Sequence, residues 1–301
     1  MAGAWTARDI PALDGRIALV TGANRGLGLE ITRELARAGA TVVMGCRDAA
    51  KAQAAAQQLR GELPQAQLEI MSVDLADLAS IRRFAQDFTA RHPRLDILCN
   101  NASAILVPFA KTRDGFEMHI GTNLLGSFAL TGQLLSCLRA APGARVVNTA
   151  SLAHRLTDGM DLDDLNFERK PYKDMDAYGK SKLATLLFAF EFDRRLRKAG
   201  SPIISVAAHP GYTATNLDLG NFFMRLSTRL FAQPAVMGAL PALYAATAPG
   251  VSGGDYYGPN GFKQLKGYPT RVDCRPEACD PELAARLWAL SERLTGVCFP
   301  E

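Results

Sequence analysis

A doubly wound α/β fold, one parallel sheet with helices on both faces, is what this sequence predicts, and three observations predict it. The first is the opening unit. Ile17, Ala18, Leu19 and Val20 form an unbroken apolar run, the mark of a strand buried on both faces, and a glycine-rich turn leads from it into a helical stretch closed by Gly39. The second is recurrence: similar runs lie at Thr41 to Cys46, from Leu68 to Val73, after Leu95, at Ala144 to Ser151 and after Ser201, with helical stretches between them. The third is continuity. No proline- or glycine-rich linker divides the series, so residues 1–301 read as a single domain. In such a sheet ligands sit at the carboxyl ends of the strands, and Thr21, Cys46, Asp74, Asn100 and Ser151 all fall there.

Composition narrows the function. A chain of 301 residues with 48% hydrophobic content can bury a sizeable core, and a net charge of +4 without basic blocks argues against nucleic acid. The N-terminal MAGAWTARDIP has no charged-then-apolar signal, and no apolar run approaches about 18 residues, so a soluble, cytoplasmic protein without a membrane span is expected. Of six cysteines, Cys46, Cys99 and Cys137 lie in apolar surroundings, and Cys274, Cys279 and Cys298 lack zinc-ligand spacing. Free buried thiols in a reducing compartment, and no metal site, are the expectation.

Each element carries its own signal. In TGANRGLG, Gly22, Gly26 and Gly28 let backbone N–H groups approach a diphosphate at a helix N-terminus, with Asn24, Arg25 and Leu27 in the same turn. An ordinary tight turn with spare glycines is the alternative. At the end of the second strand a site for NAD tends to have an acidic residue, but here Cys46 is followed by Arg47. With Arg25 nearby, this predicts NADP(H) in preference to NAD(H), which stays possible; two solvated arginines beside a permissive site are the competing reading. A helix from Asp48 to about Arg60 follows, then the third strand, then a helix that Asp77 caps and that runs through His92. The stretch Lys111 to Leu135 predicts a long helix broken near Gly115. Asn123 inside it is a poor helix former whose cost suggests a role, a partly exposed polar residue being the bland alternative.

Tyr178 and Lys182 lie four residues apart on an amphipathic helix, so they share a face. Bringing a phenol from about 10 to near 7 requires about 4 kcal/mol. One positive charge about 5 Å away supplies roughly 3 kcal/mol at an effective dielectric near 20. The phenol then serves as general acid toward a carbonyl, and its anion as general base toward an alcohol. Ser151 would hydrogen-bond the substrate oxygen. His154 and His209 read as structural, since neither belongs to a metal-spaced cluster. Farther on, Phe222, Phe223, Leu226 and Leu230 form an apolar stripe open to three readings: a lid over an apolar substrate spanning about 212–235, plain core, or membrane-surface contact. A helix from Ala235 to Ala246, a short strand around Gly254 to Tyr257, an irregular tail and a helix opened by Asp280 and Pro281 complete the chain.

TGANRGLG, the turn Asn100-Asn101-Ala102, the set Asn123, Ser151, Tyr178 and Lys182, and HPGYTAT together resemble the short-chain dehydrogenase/reductase family from Arg16 to Thr215. The insert between Ser151 and Tyr178 is similar to that of its retinol dehydrogenase-like branch. The resemblance implies a Rossmann-type sheet, an oxidoreductase using nicotinamide, and the four residues as its catalytic tetrad, with Asn123 holding a water in a proton relay. It also implies that Asp74 and Leu75 border the adenine, that the Asn100-Asn101-Ala102 turn lies along the cofactor, and that Pro210, Gly211, Thr213 and Thr215 hold the nicotinamide carboxamide. Tyr178 and Lys182 would touch the cofactor as well. The family pattern has glycine where this chain has Ser103, a cost of about 1 kcal/mol if that backbone needs positive φ. Members often pair through the helices carrying Tyr178 and following Gln233, so a homodimer or homotetramer is expected. The substrate would be an apolar carbonyl or alcohol. Two other functions stay open: a cofactor-binding regulatory protein without turnover, and a carbon–carbon double-bond reductase resembling light-dependent protochlorophyllide reductase.

Overall fold

The structure, a computed structural model, describes residues 4–213 and 232–299. One sheet has the strand order β3-β2-β1-β4-β5-β6-β7-β8. Its strands are β1 (Ile17–Thr21), β2 (Thr41–Cys46), β3 (Leu68–Ser72), β4 (Ile97–Asn100), β5 (Arg145–Thr149), β6 (Ile204–Ala208), β7 (Tyr256–Pro259) and β8 (Pro269–Arg271). All pair in parallel except β8, which runs antiparallel to β7. The order turns back between β1 and β4, and the crevice at that switch point is where such sheets take ligands.

Strand alternation sorts the apolar residues into two cores. Leu19, Val43, Leu98 and Val146 face α3 (Leu78–Arg91), α4 (Ser127–Gln133) and α6 (Asp174–Lys198). Val20, Val42, Met44 and Val147 face α1 (Gly26–Arg37), α2 (Ala49–Glu62) and the helix Ala235–Thr247. Burial on both faces explains the unbroken apolar runs. Helix starts follow their caps: Asp48 accepts from Lys51 N–H, Asp77 from Ala79 and Ser80, and Asp280 from Glu282 and Leu283 with Pro281 at the first helical position.

Two local expectations need correction. Residues 111–117 are not helical: Gly115 turns the chain at φ +87°, Lys111 bridges Glu117, and a π-helical turn, Ile120–Gly126, precedes α4 and the short α5 (Leu135–Arg139). The Glu117 carboxylate accepts the backbone N–H groups of His119 and Ile120, which starts the helical stretch there and not earlier. The tail expected to be irregular contains β8, three residues too short to show an alternation.

The helix α6 is enclosed by its own chain. From Ala177 to Asp193 every residue except Tyr178 and Phe190 is buried. The C-terminal helix Pro281–Thr295 and the segment after it cover it: Trp288 lies 5.0 Å from Phe128 and 5.9 Å from Phe188, centroid to centroid, and Phe299 lies 5.2 Å from Phe192. The helix Ala235–Thr247 is covered similarly by α1 and by Trp5, which meets Tyr244 edge-on. The second of these helices keeps Val236 exposed near its start. Among the described residues no helix is long and apolar enough to cross a membrane.

Candidate active site

The glycine turn after β1 has the shape a phosphate needs. Gly22 and Gly26 adopt φ +67° and +56°, which side-chain-bearing residues rarely do, and a Cβ on Gly28 would come within 2.9 Å of the Gly22 carbonyl carbon. The first two make the turn; the third lets α1 pack against the strand end. Thr21 ties this turn to its neighbour across the switch point. Its hydroxyl accepts from the N–H groups of Asn101 and Ala102, and the Asn101 carboxamide donates back to the Thr21 carbonyl at 2.8 Å. Asn100 behaves differently, for its buried amide donates to Thr131 and Asn148 across β4 and β5. Its Nδ2 is committed to the core, while its buried Oδ1 has no partner among the described residues.

At the end of β2 the charges suit a phosphate. Arg25 and Arg47 are both exposed, and among the described residues neither has a carboxylate partner. Asp48, the one acid nearby, is used in capping α2 and in pairing with Lys51 at 3.0 Å. Cys46 is buried beneath the loop, and burial pushes its thiol up to about 11, so it stays neutral. Asp74 accepts from Ala76 N–H, and Leu75 beside it is buried against Gly126. These residues fit a dinucleotide: the turn would hold its diphosphate, and the arginines would hold further phosphate at the adenosine end.

Around Tyr178 the expected tetrad converges. Ser151 follows β5, Asn123 lies in the π turn, and Tyr178 and Lys182 are on α6. The Lys182 Nζ lies 5.8 Å from the Tyr178 ring centre. Burial pushes the Tyr178 phenol up while its hydrogen bond with Ser151 pulls it down, and burial lowers Lys182 to about 7. This departs from the simple electrostatic expectation, for a physical reason: an amine that loses its proton near 7 carries no charge at the higher pH where an unassisted phenol ionises. Lys182 can poise Tyr178 only while something keeps the ammonium charged.

Asn123 does not present a free carboxamide. Its oxygen accepts from Ala104 N–H at 2.7 Å, and its nitrogen donates to the Ala104 carbonyl and to Ser181 Oγ. It thus clamps the loop after β4 to α6. The nearby Ser103 does not have positive φ, so the condition under which a residue other than glycine would be strained there is not met. Thr213 spends its hydroxyl on the Pro210 carbonyl, and Gly211 turns at φ +66° against the Leu265 carbonyl. Thr215 and the stripe Phe222, Phe223, Leu226 and Leu230 lie outside the described residues, as does most of the proposed lid.

Several supporting groups had no signal in the sequence. His154 Nδ1 contacts the Ser151 carbonyl at 2.6 Å and its Nε2 accepts from Arg275 N–H, an arrangement that fits a neutral ring, and burial lowers it to about 4. Beside Tyr178, the ring of buried His119 packs at 5.9 Å and bonds Glu117 at 2.8 Å, and the Tyr172 hydroxyl lies 3.1 Å from both. Burial pushes the Glu117 carboxyl up, but hydrogen bonds from His119 and Ile120 outweigh it and hold the group below its usual range.

Residues 16–161 match the short chain dehydrogenase family. Human retinol dehydrogenase 13 is 39% identical over 299 residues, covering 96% of this chain and 87% of that protein, and retinol dehydrogenase 14 of Mus musculus is 38% identical with 96% and 88% covered. The chain belongs to the short-chain dehydrogenase family. A crystal structure of an uncharacterised protein from Mycobacterium paratuberculosis is similar to this short-chain dehydrogenase with TM-score 0.84 and 43% identity, covering 99% of this chain and 100% of that one. The RhlG/NADP active-site complex from Pseudomonas aeruginosa is similar with TM-score 0.66 and 27% identity, covering 81% and 94%. The family and these relatives make the protein a nicotinamide-dependent oxidoreductase of the retinol dehydrogenase-like kind, working between alcohol and carbonyl.

Proposed function

We propose that this short-chain dehydrogenase, acting as one domain over residues 1–301, moves hydride between NADP(H) and the carbonyl or alcohol of an apolar small molecule. The observation that carries the cofactor choice is the end of β2, where Arg25 and Arg47 are exposed and unpaired among the described residues while Asp48 is spent on capping. A carboxylate free to accept from a ribose would favour NAD; unpaired guanidinium groups favour a 2′-phosphate. An NADP complex is also known for RhlG among the similar structures.

The apolar substrate class is supported by the rim around Tyr178. Phe109, Leu156 and Met175 are 48%, 64% and 41% exposed, unusual for side chains of their size, and belong to segments that converge on the start of α6. A nicotinamide held by these residues would supply or accept the hydride. In reduction, Tyr178 gives its phenolic proton to the substrate oxygen as the carbon receives the hydride; in oxidation the phenolate takes that proton back. Ser151 donates to the same oxygen, and Lys182 favours the phenolate. A cytoplasmic location belongs to this reading, supported by six free cysteines, although Cys274, Cys279 and Cys298 are not buried as expected. The test of the cofactor is the ratio of kcat/KM for NADPH over NADH with one aldehyde. It is expected to exceed about 10 and to fall at least tenfold in Arg47→Asp, in keeping with the 1.5 to 3 kcal/mol of a charge-assisted hydrogen bond. A preference for NADH in the unaltered protein would refute it.

A further inference from the structure

Lys182 is 2% exposed, and among the described residues no carboxylate pairs with it. Its ammonium donates two hydrogen bonds, to the Thr149 carbonyl at 2.7 Å and to Ser103 Oγ at 2.7 Å. A buried ammonium without a counter-ion stays charged only through oriented dipoles. The Thr149 carbonyl is backbone and would be present whatever the sequence. Ser103 Oγ is the acceptor that a side chain provides, at the position where glycine is the family pattern. Its backbone conformation is one that any residue adopts, so the hydroxyl is not incidental to a strained turn.

We infer that Ser103 is a positioning residue of the reaction: its hydroxyl oxygen keeps the Lys182 ammonium charged and fixed beside the Tyr178 phenol. The inference rests on the hydride-transfer reading of this site. The surrounding groups leave Ser103 little competition. Tyr178 shares the helix with Lys182, and Ser151 and the Thr149 carbonyl come from the β5 end. The Asn123 carboxamide is spent on Ala104 and Ser181, and His119 and Tyr256 face Tyr178 without charged contact to the amine. The clamp from Asn123 to Ala104 holds the residue next to Ser103, so the hydroxyl is presented from a fixed backbone.

Direct titration tests it. In protein carrying 13C at lysine Cε, the Lys182 resonance, assigned by its loss in Lys182→Arg, is followed against pH in the unaltered protein, Ser103→Ala and Ser103→Thr. The expected result is a midpoint about one pH unit lower in Ser103→Ala, the size of losing one hydrogen bond to a charged group, and recovery of most of that shift in Ser103→Thr. In alcohol oxidation the acid limb of kcat/KM should move up in Ser103→Ala, because a less charged lysine leaves the phenol harder to ionise, while KM for the dinucleotide changes less than about twofold. Thermal unfolding midpoints within about 2 °C of the unaltered protein establish that the variants fold. A Lys182 titration in Ser103→Ala that superimposes on the unaltered protein would overturn the inference, as would a folded Ser103→Thr that titrates like Ser103→Ala. Protein that shows the expected lysine shift but turns over no alcohol or carbonyl would instead remove the functional reading and leave the link from Ser103 to Lys182 standing.

Discussion

His154 and His209 act through being neutral. His154 is lowered to about 4 and His209 to about 3, mainly by burial, and each ring nitrogen already has a partner. Both folded values lie below the ordinary 6.5, so the unfolded chain binds protons first; this stability is fully present above about 6.5 and is lost as the pH falls toward 4 for His154 and toward 3 for His209. At pH 5 each histidine accounts for about 2 kcal/mol. Urea unfolding at pH 7.5 and 5.0 should show this loss, and His209→Gln should reduce the difference by about that amount; an unchanged difference would count against His209 being held neutral in the folded protein. The chemical residue types were legible in the sequence because Tyr178 and Lys182 are four apart and Ser151 ends a strand. What kept Lys182 charged was not, since Ser103 is 79 residues away and only folding brings its hydroxyl to the amine.

At the level of elements, the π turn Ile120–Gly126 and the loop after β4 work as one piece. Asn123 pins Ala104, His119 Nε2 accepts from Val107 N–H, and the Tyr172 hydroxyl reaches the Val107 carbonyl. This loop begins with the turn holding Ser103 and ends near exposed Phe109, so it links the amine to the substrate rim. Asn123→Ala leaves the part-buried N–H and carbonyl of Ala104 unpaired, a loss of about 1 kcal/mol in denaturant unfolding, and should lower kcat more than it weakens dinucleotide binding. Equal kcat in that variant would show that the clamp does not serve the reaction. The strands and most helices were legible from apolar runs and caps. Residues 111–117 were not, because what stops a helix there is the Glu117 side chain reaching His119 and Ile120, and a composition that suits a helix carries no trace of it.

Across the whole molecule, the C-terminal helix settles what α6 can do. With Trp288 and Phe299 against Phe128, Phe188 and Phe192, the helix carrying Tyr178 has no free apolar face from Ala177 to Asp193. Sedimentation at micromolar concentration tests the consequence: any stable dimer, heavier than the 32.4 kDa of one chain, is expected to use a surface other than α6 from Ala177 to Asp193, so Phe190→Asp should leave its mass unchanged. The sequence announced the doubly wound sheet through its repeating buried strands, but not this covering, which depends on aromatic residues over 90 positions apart meeting across one helix. The sheet brings the glycine turn, the Ser103 loop and Tyr178 to one edge, where the phenol moves a proton. Single-turnover reduction of an aldehyde by NADPH in Tyr178→Phe tests that most directly. The expected result is hydride transfer slowed by about 10²- to 10⁴-fold with dinucleotide affinity retained; a rate within twofold of the unaltered protein would contradict it.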